Sequence, residues 1–155
     1  MELKKEDLLL QEDKNFYFKP IFKAQMVNPK ILFFNIDDFR KYNFEYGHEK
    51  GDLILDKINN LISGYIYWRI SGNEWVVIVD DNENDTSSNI NFLIKNLQEI
   101  KEVPFTIIVS DFDELLRFDF LDEFMYLCKR NNYRKSSVHY LKFKGELWLK
   151  KNLKK

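Results

Sequence analysis

The fold is decided by the stretch Lys30-Ile31-Leu32-Phe33-Phe34-Asn35-Ile36-Asp37-Asp38-Phe39-Arg40-Lys41-Tyr42-Asn43-Phe44-Glu45-Tyr46-Gly47-His48-Glu49-Lys50-Gly51-Asp52. Its first eight residues are a short apolar run with polar residues mainly at the ends, the pattern of a buried strand. Asp38 is a candidate cap for a following helical segment. Gly47 to Asp52 read as a turn, whose two glycines suit a positive φ or a close helix start. Beyond the turn, Leu53, Ile54, Ile58 and Leu61 recur at helical spacing and end at Ser63-Gly64.

Upstream of this stretch, residues 1–29 read as a helical lead-in interrupted by Pro20, with a turn at Asn28-Pro29. Downstream, Tyr65 to Ile70 and Trp75 to Val79 are strand-like runs joined by Ser71-Gly72-Asn73-Glu74, which predicts a β-hairpin. An acidic loop from Asp80 to Ser88 leads to a helix near Ile90 to Ile100. A strand at Pro104 to Ser110 and a helix at about Phe118 to Asn131 follow. Val138 to Phe143 and Leu147 to Lys150 pair across Lys144-Gly145 in this reading. The element order predicts an α+β domain of ferredoxin-like palm type, with a central, mostly antiparallel sheet flanked by helices. Three segments are expected: the lead-in at 1–29, the domain proper at 30–150 and a basic tail at 151–155.

The 155 residues suit one domain with a real core. Fourteen Phe and eight Tyr against five Gly and three Pro exclude a disordered chain. A net charge of −1 gives no global field toward nucleic acid or membrane, and neither is expected as a partner. Charge is uneven, however: from Lys129 to Lys155 the only acid is Glu146, while acids cluster at Asp80 to Asp85 and around Asp111, Asp113 and Glu114. The basic end reads either as a phosphate-binding tail or as a solvated terminus. Cys128 is the only cysteine, so no disulfide framework or cysteine metal cluster is expected; its neighbours Phe124, Met125 and Leu127 predict a core thiol. The charged start predicts no secretory leader, and no apolar run approaches the roughly 18 residues of a membrane span. A cytoplasmic protein is expected.

Three blocks of this sequence resemble the motifs of the GGDEF family, the fold of diguanylate cyclases. Asn35 to Asp52 is similar to the family's Asp-hydrophobic-Asp-x-Phe-Lys, then Asn, then Gly-His-x-x-Gly-Asp. Arg69-Ile70-Ser71-Gly72-Asn73-Glu74-Trp75 resembles Arg-Tyr-Gly-Gly-Asp-Glu-Phe. Asp122-Glu123-Phe124-Met125-Tyr126-Leu127-Cys128-Lys129 is similar to Asp-x-Ala-hydrophobic-Tyr-x-Ala-Lys. The blocks keep their order over residues 31–140, and the Gly-His-x-x-Gly-Asp block with Asn nine residues before its Asp is the most specific.

The resemblance implies that Asn43 and Asp52 read a guanine edge, the carboxylate accepting from N1–H and the 2-amino group. It also implies nucleotide contacts at Phe39, Arg40, Ser71 and Gly72, and a phosphate contact at Lys129, for which a point charge is suited. On the residues alone, Asn43 and Asp52 are also readable as helix caps and Lys129 as a surface lysine, while His48 reads as a structural histidine.

The family's two divalent metals are held by carboxylates whose positions fall on Asn35 and Asn73. Magnesium prefers carboxylate and phosphate oxygens, and an amide offers an oxygen without charge. Asp37 and Glu74 are the acids left nearby, as a shifted metal ligand and a catalytic remnant, or else as a helix-start carboxylate and an exposed hairpin residue. Ser71 stands where the signature has its first glycine. The family's product-inhibition Arg-x-x-Asp would fall on Ile62 and Tyr65 and is absent. The expectation is a degenerate, catalytically inactive domain in cyclic di-GMP-type signalling, acting as a guanine-nucleotide-binding or regulatory and interaction module. No cofactor is expected to bind tightly; GTP is the candidate ligand, with Mg²⁺ weak or absent. The alternative is an active homodimeric diguanylate cyclase joining two GTP with a shifted metal site. A third possibility is a pure interaction module, with an unidentified protein partner meeting Phe16, Tyr17, Phe18, Phe22, Phe44 and Tyr46.

Overall fold

The computed structural model describes residues 1–81, 89–112, 117–131 and 135–141. Its centre is strand β3, Pro29–Ile36, which begins on a proline, as the first position of a strand allows. β3 is hydrogen-bonded on both sides, to β5 (Glu74–Asp80) and to β6 (Phe105–Asp111), antiparallel in each case. β4 (Ile66–Ser71) lies outside β5, and β7 (Ser137–Leu141) outside β6, so the order is β4-β5-β3-β6-β7. The first four of these have the strand order of a ferredoxin-like sheet. β7 runs parallel to β6, unlike the other pairings, and the intervening helix α6 (Phe118–Asn131) supplies the crossover that a parallel pair needs.

The apolar run of β3 is explained by layers on both faces of the sheet. Leu32, Phe34 and Ile36 point to one core with helices α4 (His48–Ile62) and α5 (Ile90–Gln98). Ile31 and Phe33 point to a second core with α6. Alternate residues serve alternate faces, as the period of two requires. Asn89 caps α5 by accepting from the Phe92 N–H at 2.9 Å. Cys128 is buried in the second core, and burial pushes its thiol up to about 12.

Two local expectations are corrected. The lead-in is not mainly helical. Short helices α1 (Lys5–Leu8) and α2 (Ile21–Gln25) flank a hairpin of β1 (Leu9–Glu12) and β2 (Asn15–Phe18). Leu8, Leu9, Phe18 and Phe22 are buried against Phe33, Ile78 and α6, so tertiary burial overrides local helical preference. The hairpin thus roofs the second core. Residues 1–3 also reach the outer strand: Leu3 N–H donates to Tyr67 O, and Tyr67 N–H to Met1 O.

The second correction concerns the turn at 47–52. Only Gly47 breaks the helix, at φ 91°, a backbone state that favours glycine. Helix α3 (Phe39–Tyr46) ends there and α4 starts at His48, so Gly51 and Asp52 are helical. The acidic residues 82–88, Asp113 and Glu114, Tyr133 and Arg134, the strand-like segments of 142–150 and the basic tail lie outside the described residues. Among the described residues no helix is long and apolar enough to cross a membrane.

Phe18 meets Phe112 at 5.8 Å and Phe118 at 6.5 Å between ring centroids. Phe18→Ala is expected to lower the free energy of unfolding in urea by about 3–5 kcal/mol, as for a buried aromatic emptied to a cavity. A loss under about 1 kcal/mol would mean that the hairpin is peripheral to the core.

Candidate functional site

β3 ends in a polar node. The register sets Asn35 opposite Glu74 on one side and opposite Thr106 on the other. Asn35 is fully buried, and among the described residues its Oδ1 and Nδ2 find no partner at ordinary hydrogen-bond geometry, the Asp37 carboxylate being the polar group that feels its amide. Such a group costs about 1–3 kcal/mol if left dry and unpaired. Asp37, also buried, has Thr106 Oγ1 within 2.8 Å of Oδ2 and 3.0 Å of Oδ1, so the single hydroxyl proton is donated to one oxygen at a time. Burial raises the pKa of Asp37 above its ordinary 3.8; the Thr106 hydroxyl, the nearby Asn35 amide and the charge of Lys129 pull in the opposite direction.

The β4–β5 hairpin tip closes over this node. Asn73 Nδ2 donates to Ile36 O at 3.0 Å, and Ile36 N–H donates back to Asn73 O at 2.9 Å. Ser71 Oγ lies 3.1 Å from both Asn73 Oδ1 and Glu74 Oε1. Arg69 gathers the tip from outside, donating through Nη2 to Gly72 O at 2.7 Å and through Nε to Ser71 O at 3.1 Å, with its guanidinium 5.4 Å above the Trp75 ring. The tip is therefore stitched to the end of β3 by a side chain and braced by a cation.

Between this tip and the α3–α4 pair lies an open cavity of about 470 Å³. Of the residues singled out in the sequence, Phe39, Arg40, Asn43, Asp52, Gly72 and Asn73 line it. His48 lines it as well, although sequence reasoning favoured a structural role for that residue. Neither Asn43 nor Asp52 is a helix cap: Asn43 sits inside α3, and Asp52 is an exposed residue in the second turn of α4. Asp38 occupies the N-cap position of α3 at φ 55° without a side-chain capping bond. Asp38, Phe39 and Arg40 bring the start of α3 to the cavity wall.

Ser71 stands at the tip without lining this cavity. Asp37 lines a neighbouring one of about 220 Å³ with Asp38, Lys41 and Tyr42. Lys129, in the last turn of α6, acts on Asp37 through its charge. Sequence reasoning missed Thr106 as the partner of Asp37, because only the β3–β6 register brings them together. It also missed Leu55 and Arg69 as lining residues. For Arg69 a signal was present, since a cation two residues before a glycine-containing tip can brace the tip's carbonyls.

Fold and site together define an α+β palm domain whose polar cavity is walled by a helical hairpin and a β-hairpin tip. The description "Diguanylate cyclase, GGDEF domain" matches residues 20–113, more than half of the sequence, and the chain belongs to the GGDEF family. It is 39% identical over 57 residues to diguanylate cyclase DgcS of Shewanella oneidensis, across 34% of this chain and 19% of that protein. It is 34% identical over 74 residues to diguanylate cyclase DgcP of Escherichia coli, across 43% and 22%. These matches span only about a fifth of either relative's length.

Among solved structures, a microbial GGDEF domain studied with cyclic di-GMP superposes with a TM-score of 0.56 at 19% identity, covering 77% of this chain and 85% of its own. The active GGEEF domain of a diguanylate cyclase from Vibrio cholerae gives 0.54 at 17%, covering 76% and 85%. At such identities the likeness is one of fold.

The raised pKa of Asp37 has a thermodynamic sign. The folded chain holds this proton more tightly than the unfolded one, so the penalty is absent below about 3.8 and grows as pH climbs through the raised value. Asp37→Asn keeps an acceptor for Thr106 and removes the buried charge. It is expected to be more stable than the wild type at neutral pH, with the gap closing on acidification, by thermal unfolding across a pH series. A variant less stable than wild type at neutral pH would contradict the burial account.

Proposed function

We propose that this chain is a catalytically silent GGDEF domain that binds guanine nucleotide and serves as a regulatory or interaction module in cyclic di-GMP signalling. The observation that carries the reading is a contrast within one site. The cavity retains Asn43 and Asp52 on its helical wall, while the positions of the family's metal-binding carboxylates hold Asn35 and Asn73.

Asp52 offers acceptors to the N1–H and 2-amino donors that guanine has and adenine lacks on that edge, and Asn43 supplies a neutral amide beside it. Phosphates would face the start of α3, where backbone N–H groups and the helix dipole favour anions. Arg40 lies on the same cavity wall, and Lys129 adds charge near Asp37.

The donor set does not suit a pair of divalent cations. Asn35 and Asn73 are neutral, and the Asn73 Nδ2 is committed to Ile36 O. Asp37 is buried, pushed toward its protonated form and engaged by Thr106, while Glu74 is within reach of the Ser71 hydroxyl. A unit charge pair at about 4 Å is worth roughly 4 kcal/mol at an effective dielectric near 20, so the loss of two carboxylates removes most of the local attraction for a divalent ion. The alternative, an active cyclase working as a homodimer, needs Asp37 and Glu74 to replace that attraction; the burial of Asp37 and the hydroxyl contacts of both count against it. Phe44, 92% exposed on α3, supports a protein contact close to the nucleotide cavity.

Isothermal titration calorimetry with GTP and ATP tests this reading. GTP is expected to bind more tightly than ATP without added Mg²⁺. Asp52→Ala is expected to weaken GTP about ten- to a hundredfold, the cost of a charge-assisted hydrogen bond worth about 1.5–3 kcal/mol. Equal affinity for the two nucleotides would reject the proposal.

A further inference from the structure

Gly51 is buried at the crossing of α3 and α4, where its bare Cα faces the Asn43 side chain. A Cβ built on Gly51 would overlap Asn43 Oδ1, would stand 3.0 Å from Asn43 Cγ and would touch Phe39 Cζ at 3.4 Å. Its φ is not in the positive range, so no backbone conformation demands glycine here; the space taken by one amide does. Asn43 Oδ1 is itself buried and has no hydrogen-bond partner among the described residues, which fits an oxygen pressed against Gly51. A glycine in a helix interior is otherwise unfavourable relative to alanine.

We infer that Gly51 is a positioning residue for base selection: its missing side chain seats the Asn43 amide, with Oδ1 inward and the amide NH₂ toward the cavity. Asn43 then presents a donor where Asp52 presents acceptors. Guanine matches that pair through an acceptor, O6 or N3, next to its N1–H and 2-amino donors. Adenine lacks the N1–H and 2-amino donors. Two neighbours hold the seat. Phe39 packs at one side, and the break at Gly47 folds α4 back so that Gly51 meets α3 one helical turn later. The inference rests on the guanine reading above and adds the residue that makes Asn43 selective.

The test is Gly51→Ala, Asn43→Ala and the double variant in the full chain, with GTP, inosine triphosphate and ATP as calorimetric probes and melting temperature measured alongside. Gly51→Ala should melt at or above the wild type, because alanine favours the helix and Asn43 can swing away. Its GTP affinity should nonetheless fall by about the factor seen for Asn43→Ala, and the double variant should lose no more than either single one. Additive losses, or unchanged GTP preference in Gly51→Ala, would overturn the inference.

If Gly51→Ala fails to fold, Asn43→Gly in the same chain must restore folding, since the overlap is with that amide; failure of both overturns it too. A nuclear Overhauser contact between Gly51 Hα and the Asn43 side chain, expected in the wild type without ligand, separates the two levels. If that contact is present but the wild type does not prefer GTP, the pocket reading falls and base selection by Gly51 falls with it. If the wild type prefers GTP but the contact is absent, the role of Gly51 alone is rejected.

Discussion

The register of β3 is the constraint on which the rest of the site depends. A central strand paired on both sides cannot slip by one residue without turning every side chain to the opposite face. Here a slip would move Leu32, Phe34 and Ile36 out of one core and Ile31 and Phe33 out of the other. Burial on both faces therefore fixes where the strand ends. The end then fixes the neighbours of Asn35, namely Glu74 across one ladder and Thr106 across the other. Asp37 and the hairpin tip inherit their places from the same pairing, the tip through two hydrogen bonds between Asn73 and Ile36.

What sits at that strand end is unusual in its charge. Among the described residues the buried amide atoms of Asn35 find no partner at ordinary hydrogen-bond geometry, and burial raises the pKa of the nearby Asp37 carboxyl. The two amides there, Asn35 and Asn73, carry no charge, while the cavity next to them keeps an exposed carboxylate at Asp52 and the cations Arg40 and Arg69. The two halves of the site thus differ in what they can do. In the proposed reading, one half recognises a polar, anionic ligand and the other attracts hard cations weakly. Fold membership does not decide between binding and catalysis; the proposal rests on the side chains at the strand end.

Much of this was legible in the amino-acid order. The apolar run at 31–34, the glycine-containing hairpin and the Asn43 to Asp52 spacing carry the palm fold and the cavity wall, because each is a local pattern. Three things were not legible. Phe16 and Phe18 read as part of a helical lead-in, since nothing local shows that they roof a sheet face; burial beside Phe33 makes them strand residues. Gly51 read as part of a turn, because two glycines four apart look alike until Gly47 alone is found at positive φ. Thr106 carries no motif and gains its meaning only from being opposite Asn35. Long-range register is the common factor, and no window of sequence contains it.

The proposal turns on amides at Asn35 and Asn73 holding too little charge for the paired ions that phosphoryl transfer of this kind relies on. The most direct measurement is a count of bound Mn²⁺ per chain by electron paramagnetic resonance, with GTP present, for the wild type and for the Asn35→Asp, Asn73→Asp double variant. The account predicts weak, unsaturated binding to the wild-type protein and a clear gain in the carboxylate-bearing variant. Two tightly held ions in the wild-type protein would contradict it.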